Sequence, residues 1–268
     1  MTRDARVGLA LAGLLALMAI VGPWIAADPL AQPDLVGGRL QPPSPAHWLG
    51  TDQYSRDVFA RLVAGARTSL GIATIAVSVA LALGTMIGVL AGSTEGWLAA
   101  TLRRIIDLAL AVPRVIVLLV LLASVGALQD MVLALVLGAT GWPAIARLVR
   151  GETLRLRRVP YVTAAHALGA PTGRILLREI VPGAVAPALV ATALGVADAI
   201  LLEAGLSFLG LGVRPPAPSW GGMILDAQDH LATAPWLLLA PTLALVVATT
   251  AATLLGDALR RSLQPDTR

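Results

Sequence analysis

The chain has 268 residues, of which 57% are hydrophobic and only 13% charged, with a mean hydropathy of +0.80; a soluble domain carries about a quarter charged residues, so this is a membrane composition. Cysteine is absent and all 20 basic residues are arginine, which excludes disulfides, thiolate metal sites, cysteine nucleophiles, the phosphate-contacting lysine of a P-loop and Schiff-base chemistry. The net charge of +4 does not point to nucleic acid, because the arginines sit mainly at the ends of apolar runs, where such a bias records membrane topology.

Six apolar runs are predicted to be spans, each matched to a hydrocarbon core about 30 Å thick. The first, 7–26, follows Arg3 and Arg6 and ends at Trp24 before Asp28 and Pro29. Its length fits an uncleaved span better than the apolar stretch of a signal peptide. The second, 68–92, carries Ala76, Ala80, Gly84, Gly88 and Gly92 at every fourth position. A small-residue face of this kind lets helix backbones approach closely, although glycine is also simply tolerated in apolar spans. The third, 105–125, contains Pro113, which predicts a kink or a late start. The fourth is 131–148. The fifth, 183–205, carries Asp198 and Glu203, and the sixth is 235–256.

Six spans place both termini on one side. With the N-terminus inside, the inner arginines are Arg3, Arg6, Arg103, Arg104, Arg147, Arg150, Arg155, Arg157, Arg158, Arg174, Arg178, Arg260, Arg261 and Arg268. The outer ones are Arg39, Arg56, Arg61, Arg67 and Arg214, with Arg114 inside a span. The asymmetry predicts both termini inside. Two outer loops, 27–67 and 206–234, and one inner loop, 149–182, are then expected.

The inner loop is the most informative segment. Val162–Leu168 reads as a short helix with small residues at Ala164, Ala165 and Ala167. Gly169 suits the left-handed turn that ends a helix, and Pro171 the first turn of a second one. On that second helix Arg174 and Arg178 share a face, and Pro182 is expected to break it before the fifth span. A compact alanine surface suits docking into another protein's groove. A connector lying on the bilayer fits the same pattern.

The segment resembles the EAA loop of ATP-binding cassette importer permeases at Thr163, Ala164, Ala165, Gly169, Val181 and Pro182. Thr163 stands where that motif has its glutamate, and Glu179 where it often has isoleucine. His47-Trp-Leu-Gly-Thr-Asp52 through Arg56, Asp57 and Arg61 to Leu70 resembles the early outer segment of dipeptide, oligopeptide and nickel permeases, with Ser55 in place of the usual glycine. Leu201 to Gly212 with Pro215 to Gly221 resembles the stretch after their fifth span, and Leu255 to Arg260 their C-terminal end. Four matches in the right order identify the chain as similar to the C-type subunit of that permease pair.

The resemblance implies an all-α, six-span type I permease in the inner membrane. It implies a second, homologous permease subunit, two ATPase subunits that bind ATP and Mg, and a periplasmic or lipid-anchored solute-binding protein. The solutes would be peptides or related small molecules such as nickel chelates. Tyr161, Thr163, Ala164, Ala165, Gly169 and Pro182 would form the ATPase-docking coupling helix and loop. For Asp198 and Glu203 a place on the solute pathway or in its gating is weighed against anchoring of the outer loop by Glu203. Ala80, Gly84, Gly88 and Gly92 are the candidates for helix packing.

The other constellations are negative. His47, His166 and His230 are scattered, with no HExxH pattern, and Ser207 lacks a nucleophile-elbow context. No catalytic group, metal site or cofactor of the chain's own is expected. A secondary transporter would need coupling-ion sites and usually internal repeats, and a membrane scaffold would need no docking helix.

Overall fold

The computed structural model describes residues 3–126 and 128–263, so Arg268 lies outside the described residues. Ten α-helices occur among them: α1 (Arg3–Ile25), α2 (Val58–Ser93), α3 (Gly96–Ala111), α4 (Arg114–Val125), α5 (Asp130–Leu156), α6 (Pro160–Ala167), α7 (Thr172–Ile175), α8 (Val181–Phe208), α9 (Trp220–Ala227) and α10 (Trp236–Leu263). The pairing of extended backbone seen among them is limited to two isolated bridges, Thr51 with Asp57 and Leu128 with Val213. Hydrocarbon offers no hydrogen-bond partner to a peptide group, so apolar runs of this length satisfy their backbones internally, as helices.

Among the described residues, five stretches are long and apolar enough to cross a membrane: α1, α2, α5, the continuous helix Thr172–Phe208, and α10. The pair α3 and α4 makes a sixth candidate, bent by 78°. The bend has a local cause. Proline disfavours helical backbone in the residue before it, and Val112, ahead of Pro113, is extended at φ −94 and ψ 127. The expected third span, 105–125, is therefore divided between two helices.

Three boundaries differ from those read in the sequence. The first loop ends at Asp57, because α2 starts at Val58 and not near Thr68. Asp57 caps it, its Oδ1 accepting from the Ala60 N–H at 2.7 Å. Arg61 made this stretch look like loop, but it is a buried residue of the helix. At 36 residues α2 is about 54 Å long, well beyond the thickness of a bilayer core. Helix α5 likewise runs on to Leu156, past the expected end near residue 148.

The third difference concerns Pro182. It does not break the chain before the fifth span. Helix α7 passes through a π-helical turn, Leu176–Ile180, straight into α8, and Pro182 lies in the first turn of α8. A π turn shifts the hydrogen-bond ladder locally and absorbs the missing proline N–H.

The chain divides into two compact units. The first comprises the described residues up to Thr74, within Leu119–Ala134 and over Val196–Leu255. Here α1 lies on α10, where a Cβ on Gly8 would come within 2.9 Å of the Leu254 Cβ, and Gly22 of α1 abuts Val63 of α2. The second comprises Ile75–Leu118, Leu135–Gly195 and the described residues from Gly256 on. Its seam joins α2 to α5. A Cβ on Gly84 would stand 2.6 Å from the Ile145 Cβ, one on Gly88 2.6 Å from the Ala146 carbonyl oxygen, and one on Gly92 2.7 Å from the Thr153 Cβ. From the other side, a Cβ on Gly138 would meet the Val79 Cβ at 2.6 Å. Ala80 is buried on the same face. Dispersion between closely packed backbones is what joins such helices in lipid.

Gly88→Ala is expected to destabilise the protein by about 1–3 kcal/mol, the usual range for overpacking. Gly71→Ala, on the same helix but with nothing within 4 Å of the new Cβ, should be neutral or stabilising by about 0.5–1 kcal/mol. Thermal unfolding of both variants in the same detergent checks the contrast.

Candidate functional site

The segment that resembles the EAA loop folds as a helix, a tight turn and a second helix. Proline at the first position of α6 suits a helix start. Val162 is fully buried and packs in one cluster with Leu156, Ile175 and Ile180, and Ala165 is packed against that cluster. Tyr161, Thr163 and Ala164 are exposed. The helix ends in a Schellman turn: Gly169 has φ +81, and the Ala170 N–H donates to the Ala165 carbonyl at 3.1 Å. Nothing lies within 4 Å of a Cβ built on Gly169, so the backbone angle, and not space, requires glycine there. Thr163 spends its hydroxyl inside its own helix, on the Val159 carbonyl at 3.3 Å. Pro182 lies further on, in α8.

Around this turn the surface is apolar and cationic. Leu168 is 88% exposed and Leu177 69%. Arg174 and Arg178 are exposed, with no carboxylate within ion-pair distance among the described residues. The arrangement is a small knob of alanine and leucine flanked by two free guanidiniums.

The two acidic residues of the fifth span have different surroundings. Asp198 is exposed on α8. Glu203 is fully buried. Ser69 of α2 donates to its Oε2 at 2.8 Å, and Ser207, one turn along α8, donates to its Oε1 at 2.7 Å. Each serine is then used again. The Trp220 N–H donates to the Ser69 oxygen at 3.2 Å, while the Val213 N–H and the Ser219 hydroxyl donate to the Ser207 oxygen, each at 3.2 Å. Ser219 also caps α9 by accepting from the Gly222 N–H at 3.1 Å. These contacts tie Glu203 to α2 and to the loop after α8, the geometry that the anchoring role calls for.

A second lock involves the first loop. Asp52 is buried, and its Oδ2 lies 2.6 Å from Arg56 Nε and 3.5 Å from Arg61 Nε. Its Oδ1 accepts from the Tyr54 and Arg56 N–H groups at 2.8 and 2.9 Å. Arg61 reaches on to Asp226 of α9 at 3.2 Å. Burial pushes the Asp226 carboxyl above its usual value, and the Arg61 and Arg56 guanidiniums pull it part of the way back. Ser55, where the resembling permeases carry glycine, has φ 62, which explains that preference. Nearby, His47 Nδ1 lies 2.8 Å from Asp57 Oδ2.

Sequence reasoning missed Ser69, Ser207, Ser219 and Asp226 as partners. A carboxylate and a serine four apart on one helix face, Glu203 and Ser207, were the available signal. Arg114, the arginine inside a span, is also engaged: at the start of α4 it donates to the Leu137 carbonyl at 2.5 Å and to Thr140 at 3.2 Å. Among the described residues no three histidine, aspartate or glutamate side chains form a metal-sized group.

Ser207→Ala removes one donor from a buried carboxyl group and leaves the Val213 N–H unmatched. The expected loss is about 1.5–3 kcal/mol. Ser262→Ala, near the exposed end of α10, should stay within about 0.5 kcal/mol. Melting curves in detergent check the difference.

Comparison with known proteins agrees with this architecture. The family described as the binding-protein-dependent transport system inner membrane component matches residues 84–268. The dipeptide transport system permease protein DppC of Alkalihalophilus pseudofirmus is 37% identical over 262 residues, covering 97% of this chain and 85% of that protein. The glutathione transport system permease protein GsiD of Pectobacterium atrosepticum is 40% identical over 224 residues, 83% of this chain and 74% of that one. The oligopeptide transport system permease protein OppC of Bacillus subtilis is 37% identical over 265 residues, 98% and 86% of the two chains. Among solved structures, the MetNI methionine ABC transporter in an inward-facing conformation shares the fold, with a TM-score of 0.60 and 20% identity over 75% of this chain and 95% of that one. With its apolar helices, its closely packed seam and relatives that match nearly its whole length, the chain is a multi-pass membrane protein and belongs to the family of inner membrane components of binding-protein-dependent transport systems.

Proposed function

We propose that this chain is one half of the translocation pathway of an ATP-binding cassette importer for peptides or related small solutes. The observation that carries the reading is the set of relatives, 37% to 42% identical, whose names include dipeptide, oligopeptide, glutathione and putative peptide permeases. In this reading both termini are cytoplasmic, as the arginine asymmetry favours. A second, homologous permease subunit completes the pathway, and a solute-binding protein delivers cargo on the other face. Nickel chelates belong to the same solute range.

The turn between α6 and α7 docks on an ATPase subunit, one of two, where ATP and Mg are bound. Several observations support this. The knob at Ala164, Ala165 and Leu168 is small enough to enter a groove, and Arg174 and Arg178 stand ready for acidic residues on its rim. With no carboxylate at Thr163, the contact relies on shape and on those arginines. Helix α7 then continues without a break into α8, so displacement of the docking turn moves a membrane-spanning helix. Nucleotide on the ATPase supplies the differential binding energy that each state change requires. Asp198 lines the pathway, since an exposed carboxylate facing lipid at membrane depth is disfavoured.

Affinity purification of the tagged chain in mild detergent, with mass spectrometry of its companions, tests this. The wild-type chain should bring down a second permease and an ATPase. The double variant Ala165→Arg, Gly169→Pro should keep the permease and lose the ATPase by about tenfold or more, the effect of 1.4 kcal/mol or more at the contact. A chain that purifies alone and moves solute in liposomes without ATP would overturn the reading in favour of a secondary transporter.

A further inference from the structure

A cleft of about 610 Å³ opens between the end of α1 and the first turns of α2, a volume typical of small-molecule sites. Its walls are apolar at Pro23, Ala26, Ala27, Ala60, Val63 and Ala64. Two charged residues line it as well, Asp28 and Arg67. Asp28 Oδ1 accepts from the Leu30 N–H at 2.9 Å, and Oδ2 has no partner among the described residues. Arg67 is exposed, and among the described residues no carboxylate stands within ion-pair distance of it.

Depth identifies the surroundings. The apolar run of α1 ends here, at Trp24 and Ile25, which are 82% and 67% exposed. An exposed indole at the end of a span marks the boundary between hydrocarbon and headgroups. Side chains on a helix lean toward its N-terminus. On α2 that direction runs back from Arg67 toward Val58, along the level where Gly22 of α1 abuts Val63. The Arg67 guanidinium therefore rises along the cleft toward the headgroup layer, as cationic side chains near span ends do.

One cation and one anion in a single apolar-walled cleft at this depth match a zwitterion with an acyl tail. We propose that the cleft holds the headgroup of one phospholipid bearing a primary ammonium, phosphatidylethanolamine. Arg67 takes the phosphate as a charge-assisted, forked donor. Asp28 Oδ2 accepts from the ammonium. The acyl chains descend along α1, whose Leu17 and Ile20 are 58% and 64% exposed. Asp28 sets the selectivity. A trimethylammonium has no N–H to give, and a headgroup with net negative charge meets Asp28 as a like charge. Filled in this way, the cleft braces the junction of α1 with α2.

The test is native mass spectrometry of the full-length chain, purified together with whatever subunits accompany it. The sample is exposed to equal amounts of phosphatidylethanolamine, phosphatidylcholine and phosphatidylglycerol carrying the same acyl chains. Wild type should retain phosphatidylethanolamine about tenfold over the other two, a factor within reach of one charge-assisted hydrogen bond. Arg67→Gln should lower retention of all three, whereas Asp28→Asn should erase the preference over phosphatidylcholine and leave general retention in place. Both positions are at the surface, and an unchanged melting temperature establishes that the variants fold. Equal retention of the three lipids by wild type, or an undiminished preference in Asp28→Asn, overturns the proposal. So does a photoreactive residue at Ala64 that cross-links to a companion protein subunit and not to lipid.

Discussion

Glu203 sits near the end of a membrane-spanning helix with none of its surface open to solvent, and a carboxyl group in that position must find hydrogen-bond donors within the protein. The donors come from separate parts of the chain. Ser69 belongs to α2 and Ser207 to α8 itself, and each passes the connection on, to the N–H of Trp220 and to Ser219 and Val213. Trp220 is fully buried and ties α9 to α2 a second time, its indole N–H donating to the Leu62 carbonyl at 3.1 Å. The loop after α8 therefore cannot move away without exposing a carboxyl group, two hydroxyls and an indole to apolar surroundings. Low local dielectric makes such a network strong when complete and expensive to leave half made.

The salt-bridged group of Asp52, Arg56, Arg61 and Asp226 holds the same α9 helix, joining it to the first loop and to the start of α2. Buried ion pairs contribute little net stability over an apolar core, yet breaking one by removing a single partner is costly. The pairing fixes which residues of the loop and of α9 face each other. The first unit is thus held at this end by polar groups whose partners are specified one by one.

In the second unit the constraint is steric. Glycines at every fourth position of α2 leave no room for a Cβ against α5, and the two helices lock by shape. Against that rigid pair, the α6 turn displays exposed leucine and arginine. Under the proposed function, a rigid seam beside that turn would pass a displacement on, because only parts that do not deform transmit one.

Much of this was legible in the sequence by itself. Apolar length determined the helical class and a count of five to six candidate spans, because the bilayer leaves backbone groups no other partner. The spacing of Gly84, Gly88 and Gly92, the turn at Gly169 and the disruption at Pro113 are local effects of side-chain size and backbone angle, and they can be read from neighbours in the chain. Tertiary structure alone decided the rest. Arg61 looked like a loop residue until Asp52 and Asp226 were brought to it; Pro182 looked like a break until a π turn absorbed it; and the charge of Glu203 had no visible partner until Ser69, 134 positions away, was brought to it. The physical reason is common to all three. Whether a charge or a proline is tolerated depends on the partners around it, and those partners are brought together by packing, which no local spacing encodes.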